Sequence, residues 1–218
     1  GALAIGEIQY SYPALGSMIY AGQSQPLART YKLGMWYDTR HFNDQRFDNT
    51  GFSLANAATS GIPEQHRGDY GIYAVADQEV WQDPEEYDRT VNVFARAMGT
   101  PEVNRNQIDA SLNLGVTFHE PFIHRDDDTF GVGLGFAHVS PALSSLDQDT
   151  ANFTGSFTPI RSSETFLETT YSYEVAPWLM VQPDFQYVFN PGGGIANPSG
   201  TGKIGNEAVI GVRTNILF

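Results

Sequence analysis

The last stretch of the chain, Glu207–Phe218, constrains the fold most, because its side chains alternate with a period of two. Phe218, Ile216, Thr214, Val212, Ile210 and Ala208 form an almost wholly apolar face. Leu217, Asn215, Arg213, Gly211, Val209 and Glu207 form the other, which carries charge of both signs. Period two places successive side chains on opposite faces of a strand, not of a helix. An apolar face opposite a charged one, ending on an aromatic residue, is what a strand with lipid on one side and a wet lumen on the other requires. The edge strand of a soluble sheet has the same pattern, so the reading depends on repetition.

The rest of the chain repeats it. In Thr30–Asp38, Tyr31, Leu33, Met35 and Tyr37 oppose Lys32, Gly34, Trp36 and Asp38. In Tyr70–Trp81, Ile72, Ala74, Ala76 and Val80 oppose Tyr73, Asp77, Glu79 and Trp81. Arg89–Met98 sets Val91, Val93, Ala95 and Ala97 against Asn92, Phe94, Arg96 and Met98. Ile108–Phe118 alternates most cleanly, with apolar residues at every even position and Asp109, Ser111, Asn113, Gly115 and Thr117 between them. Thr129–Val139 interleaves Phe130, Val132, Leu134 and Phe136 with three glycines. Glu164–Val175 and Leu179–Phe189 continue the series, and Ala2–Ser11 joins it weakly. The spacing therefore predicts about nine strands, most near the ~9–11 residues of a tilted membrane-crossing strand.

Between them, 40–68, 140–162 and 190–206 read as long polar loops, and 83–88, 99–106 and 176–177 as short turns. Residues 119–128 and 12–28 read as connections of intermediate length. Long and short fall mostly on opposite ends, 99–106 excepted, as in barrels with short periplasmic turns and longer outer loops. The fold class expected is all-β, a transmembrane antiparallel β-barrel occupying residues 1–218. No apolar run approaches the ~20 residues of a spanning helix, and a mean hydropathy of −0.30 fits half-polar strands. Single-chain bacterial barrels have an even strand count. The odd count means either a strand count off by one or the carboxy-terminal half of a longer chain, and the missing signal peptide leads to the expectation of the second.

Three blocks carry a family resemblance. Glu164-Thr-Phe-Leu-Glu-Thr-Thr-Tyr-Ser-Tyr173, Ala176-Pro-Trp-Leu-Met-Val-Gln-Pro-Asp-Phe-Gln-Tyr-Val-Phe-Asn-Pro-Gly-Gly-Gly194 and Gly205–Phe218 resemble the end of the carbohydrate-selective porin family, OprB. Thr30–Thr39 and Gly71–Gln78 resemble it too. The resemblance implies a sixteen-stranded porin of the bacterial outer membrane, passing glucose and related small sugars, with its first strands outside this sequence. It also implies a constriction drawn partly from the amino-terminal half and inward loops, whose residues cannot be carried over.

A sugar path calls for aromatic faces against ring C–H groups and for charged or amide groups against hydroxyls. The inward positions offer Trp36, Tyr73, Trp81, Phe94, Phe166 and Trp178, with Lys32, Asp38, Asp77, Glu79 and Asp109 among the polar ones. Trp36, Arg96, Glu168, Asp184, Glu207 and Arg213 are the pore-lining residues singled out; Arg can give two parallel bonds to vicinal hydroxyls. Wall charges also brace a barrel through cross-strand pairs, and that reading competes at every position. Tyr37, Tyr171, Tyr173, Tyr187, Phe189 and Phe218 are the candidates for interfacial rings.

Other signals exclude more than they assign. The net charge of −13 argues against nucleic acid. The absence of cysteine excludes disulfides and thiolate metal sites. Gly131–Phe136 lacks the dinucleotide fingerprint's last glycine, and Pro191-Gly-Gly-Gly194 lacks the Lys-Ser/Thr of a phosphate loop. His119-Glu120, His124 and Asp126-Asp127-Asp128 have no recognisable ligand spacing and read as a solvated turn. Asp147 and Asp149 likewise read as solvated loop carboxylates. No nucleophile–base–acid set is visible, so neither catalytic residues, cofactor nor metal is expected. The function read from the sequence is passive diffusion of small sugars, with lipid and lipopolysaccharide around the barrel. A general or structural barrel, a barrel enzyme and a soluble β-sandwich lectin are its rivals. A homo-oligomer or a larger envelope assembly is left open.

Overall fold

The computed structural model describes residues 1–13, 26–122 and 125–217. Nine strands follow one another in a single antiparallel sheet whose spatial order is the chain order. They are β1 (Leu3–Tyr12), β2 (Arg29–Asp48), β3 (Pro63–Gln82), β4 (Thr90–Gly99), β5 (Ile108–His119), β6 (Thr129–Val139), β7 (Ser163–Ala176), β8 (Leu179–Phe189) and β9 (Glu207–Ile216). One helix, α1 (Pro141–Thr154), lies between β6 and β7. No helix among the described residues is long and apolar enough to cross a membrane.

The register aligns the alternation of neighbouring strands. Leu33 faces Ala74, Ala95 faces Leu114, Leu134 faces Leu167, and Phe185 faces Ile210. Directly opposed residues in an antiparallel pair share a face, so one surface of the sheet is apolar throughout. That surface is open: Leu33 is 60% exposed, Ile72 61% and Ile210 80%. The opposite surface curls inward, because side chains two strands apart meet there. Tyr73 on β3 donates to Glu7 on β1 at 2.8 Å, over β2.

Aromatic rings cluster on the apolar surface at both strand ends. Near the turn end Tyr10 stacks with Tyr31, Phe118 with Phe130, and Phe122 and Tyr173 flank Tyr171. Near the loop end Tyr37 pairs with Tyr70, and Tyr187 packs edge-on to Phe189. From Val181, the partner of Tyr173, to Phe189 is eight residues, about 26 Å of strand. An apolar band about 25 Å tall between aromatic girdles is the outer surface of a membrane barrel. Of the rings expected at the interface, Phe218 lies outside the described residues.

Two of the expected loops are largely ordered elements. Residues 41–67 were expected to be loop, yet β2 continues to Asp48 and β3 begins at Pro63. Register shifts between Asp38 and His41 and between Asn43 and Asp48 break the period-two phase, and the hairpin is polar on both faces, so alternation did not reveal it. Residues 140–162 were expected to be loop and contain α1. Ser140 caps it through Leu143 N–H, Pro141 opens it, and Gly155 closes it at φ 64°, a left-handed turn that favours glycine. Those stop signals are visible in the sequence; the helix's weak amphipathicity hid the element they bound. The expected connection over residues 12–28 lies mostly outside the described residues.

Candidate functional site

One arrangement recurs on the inner surface. Four inward rings and one carboxylate are each directly opposed by glycine: Trp36 faces Gly71, Tyr73 faces Gly34, Phe94 faces Gly115, Phe166 faces Gly135, and Asp184 faces Gly211. A Cβ on any of these glycines would run into the facing side chain. The rings therefore lie across the neighbouring strand, and on β6 Gly135 makes room for the Phe166 ring. A ring laid against the wall keeps the interior open and leaves its other side available to a solute.

Phe94 and Phe166 frame a recess of about 240 Å³ floored by Gly131 and Gly133 and bordered by Arg96, Asn113, Thr117, Glu168 and Thr170. Arg96 lies over the Phe94 ring, 5.2 Å from its centre. Gln186 donates to Glu168 at 3.1 Å. Two further recesses continue along the inner face and Arg96 borders both, one with Asp77, Glu79 and His119, the other with Tyr73, Met98 and Ser111. Arg96 thus stands midway along a polar track with aromatic borders. The arrangement can stack an apolar face and hydrogen-bond hydroxyls, and it presents no hydrolytic set.

Of the singled-out residues, Arg96 and Glu168 share the framed recess. Trp36 lies on β2, Asp184 on β8, and Glu207 and Arg213 on edge strand β9 opposite Val188 and Gln182; none of these four borders it. Tyr73, Phe94 and Phe166 lie inward as the alternation predicts. Trp81 does not: a bulge at Val80 pairs it with Val91 on the lipid-facing surface. Trp178 sits in the β7–β8 turn, 55% exposed. Asp109 occupies a bulge and accepts from His138 at 2.6 Å. One inserted residue reverses a side chain's face, which alternation counted in sequence cannot detect. Asn113, Thr117 and Thr170 were missed because short polar residues on an inward face carry no signal of their own.

Both rims are braced by carboxylates expected to be solvated. Asp149 on α1 takes two bonds from Arg46 on β2, at 2.8 and 3.0 Å, and that guanidinium holds it below the usual carboxylate range. Asp147 is clasped by Arg161 in the same way. At the turn end Asp128 is fully buried and accepts from Arg125, Tyr171 and the Glu174 amide. Burial alone would push it up, but Arg125 and Tyr171 outweigh this and hold it low. His124 of the same turn lies outside the described residues.

A one-layer sheet, apolar and ringed with aromatics outside, polar and glycine-floored inside, with short turns on one rim and long elements on the other, defines the wall of a porin. The family model for "Carbohydrate-selective porin, OprB family" matches residues 1–218, and the chain belongs to that family, whose members are outer-membrane proteins. It is 26% identical over 203 residues to Porin B of Pseudomonas aeruginosa, covering 89% of this chain and 42% of that protein. The high-pH structure of Pseudomonas putida OprB shares the fold, with a TM-score of 0.80 at 23% identity, over 98% of this chain and 48% of that one. The chain thus spans less than half the length of the curated relative and of the solved structure.

Proposed function

We propose that these nine strands form the carboxy-terminal part of a closed barrel in the bacterial outer membrane and that the barrel passes glucose and related small sugars by passive diffusion. The observation that carries this is the row of rings laid over glycines, with Arg96 and Glu168 set between Phe94 and Phe166. A pyranose has apolar C–H faces and an equatorial belt of hydroxyls. Rings against the wall meet the first, and guanidinium, carboxylate and amide groups meet the second. In this reading Trp36, Asp184, Glu207 and Arg213 line the path above and beside that recess. The acidic excess of the chain favours cations over anions in any ion leak. The barrel is a channel and no enzyme.

Liposome swelling with the full-length protein tests this reading. Glucose is compared with a disaccharide and with an amino acid of glucose size. Fast swelling with glucose alone supports a sugar-tuned pore. Swelling ordered by solute size alone removes the selectivity, and no swelling with any solute removes the channel.

A further inference from the structure

The protruding part of the β2–β3 hairpin holds a cluster that the sugar path does not use. Between Asn43 and Asp48 the ladder slips, so Asp44 to Phe47 stand against Glu64 alone. The bulge turns Asp44 inward, where it is buried. Its Oδ1 accepts the amides of Arg46 and Phe47, each at 2.7 Å, so the carboxylate cannot rotate. Its Oδ2 is left pointing at His66 Nε2, 2.7 Å away. Glu64 lies two residues before His66 on the same face of β3. Single ligand atoms of Asp44, Glu64 and His66 all lie within 4.8 Å of one another.

A second observation concerns His66 alone. Its Nε2 is also 3.2 Å from Asn104 Nδ2. Asn104 is oriented by Arg105, whose Nε donates to its Oδ1 at 3.1 Å, so the side facing His66 is the NH₂ group. The carboxylate of Asp44 asks Nε2 for a proton and the amide of Asn104 asks it for a lone pair. One ring nitrogen cannot supply both. Hydrogen bonding therefore satisfies only one of the two contacts at a time, and Glu64 has no salt-bridge partner among the described residues.

The geometry points to a divalent transition-metal site at the outer mouth, with Asp44, Glu64 and His66 as its protein ligands. Imidazole with two carboxylates suits zinc and similar ions, at roughly 2.0–2.2 Å from each donor, which places neighbouring donors about 3.4 Å apart in a tetrahedron. To reach that spacing the His66 ring and the exposed Glu64 side chain would move while Asp44 stays held by its amides. Calcium, which takes six to eight oxygens, is poorly served. The backbone amides on Asp44 Oδ1 act as the outer shell that aims the ligand. With the metal on His66 Nε2, Asn104 would have to leave Arg105 to offer its oxygen at the fourth position. The bound ion ties the bulge of β2 to β3 and, through Asn104, to the β4–β5 turn.

The molecule supplies a control. His138 and Asp109 make the same imidazole–carboxylate contact, at 2.6 Å, and form no such three-residue group among the described residues. Zinc is titrated against a chromophoric chelator into full-length, tag-free protein in detergent, and cobalt is followed by its visible absorption. The wild type is expected to bind one saturable equivalent that His66→Gln and Glu64→Gln weaken at least tenfold and His138→Gln leaves unchanged. The cobalt band of that equivalent disappears in His66→Gln. Circular dichroism shows whether each variant keeps the strand content of the wild type; Glu64, which is exposed, serves as the variant least able to disturb folding. An unchanged affinity in Glu64→Gln and His66→Gln, an equal loss in His138→Gln, or no saturable equivalent in the wild type overturns the site.

Discussion

The wall and the mouth of this molecule are held together by different means. The wall, from Tyr31 to Tyr37 on β2 and at the same level of its neighbours, is one layer thick and contains no buried apolar side chain. Val139, Leu143 and Pro191 are buried at the mouth end, which also buries Asp44, Asp48, Ser140 and Asp147. The wall relies on ladder hydrogen bonds and on lipid for its apolar face, since a closed strand array is one of the two structures whose backbone is satisfied in a bilayer. The mouth stands in water and cannot use lipid, so it is built from fixed carboxylates that organise loops, with Asp48 taking five hydrogen bonds from Thr50, Phe52, Thr59 and Ser60. A wall of that kind should tolerate polar residues at inward positions that face no ring, whereas a mouth of that kind should lose local order with its most heavily bonded acceptor, Asp48.

Substitutions can break this contrast at either place. The largest effect is expected at the outer face. Leu114→Arg should cost about 2–4 kcal/mol in folding into lipid vesicles, while Asn113→Arg, one residue away on the inner face, should cost close to nothing. Equal costs for the two would remove the assignment of faces. Next comes Asp48→Ala, which removes the acceptor of the Thr50, Phe52 and Ser60 amides. Their hydrogen exchange should accelerate about a hundredfold, with the exchange of β5 and β6 unchanged. Burial alone would raise the Asp48 carboxyl, but the hydroxyl of Thr50 and the amide of Ser60 prevail and hold it well below its ordinary value. The loop's extra stability is then fully present above about pH 4 and is lost as pH falls toward the depressed folded value. Protease resistance of the loop followed against pH should show that loss, and Asp48→Asn should flatten it.

A smaller effect is expected where Arg46 holds Asp149. Both are partly exposed, with side chains at 32% and 15%, so a double-mutant cycle should return a coupling of about 1 kcal/mol, discounted for solvent. It should appear in the local exchange of α1 and not in global unfolding, and swapping the two charges should restore it. The smallest effect is at Gly133, where an added Cβ meets nothing closer than the Leu114 carbonyl at 3.7 Å. Gly133→Ala should change stability by less than about 0.5 kcal/mol, whereas Gly135→Ala must displace the Phe166 ring. If both glycines behave alike, the rings do not lie where the inner wall needs them.

The same contrast explains what could be read without coordinates. Period two in Ile108–Phe118 and Glu207–Phe218 reports a lipid face and a wet face directly, so strand identity and facing were legible across the wall. The pairing of Phe94 with Gly115 and of Phe166 with Gly135 was not, because it depends on register between segments about 20 to 30 residues apart. Trp81 was assigned to the wrong face because one bulged residue, Val80, leaves no trace in composition. The mouth was read as loop because His41–Asp48 is polar on both sides and out of phase, and because α1 has almost no apolar stripe. The Asp44–Glu64–His66 group joins positions 20 residues apart through a slipped ladder, which no linear ligand spacing describes.

If the inner wall around Arg96 binds sugar as it passes, glucose titration of single-channel current will show it, with the full-length protein in a planar bilayer and wild type compared with Arg96→Ala and Phe166→Ala. Glucose should reduce the wild-type current along a saturating curve, and each variant should need roughly tenfold more glucose for the same reduction. A current that falls only in proportion to solution viscosity, or that saturates identically in all three proteins, would contradict it.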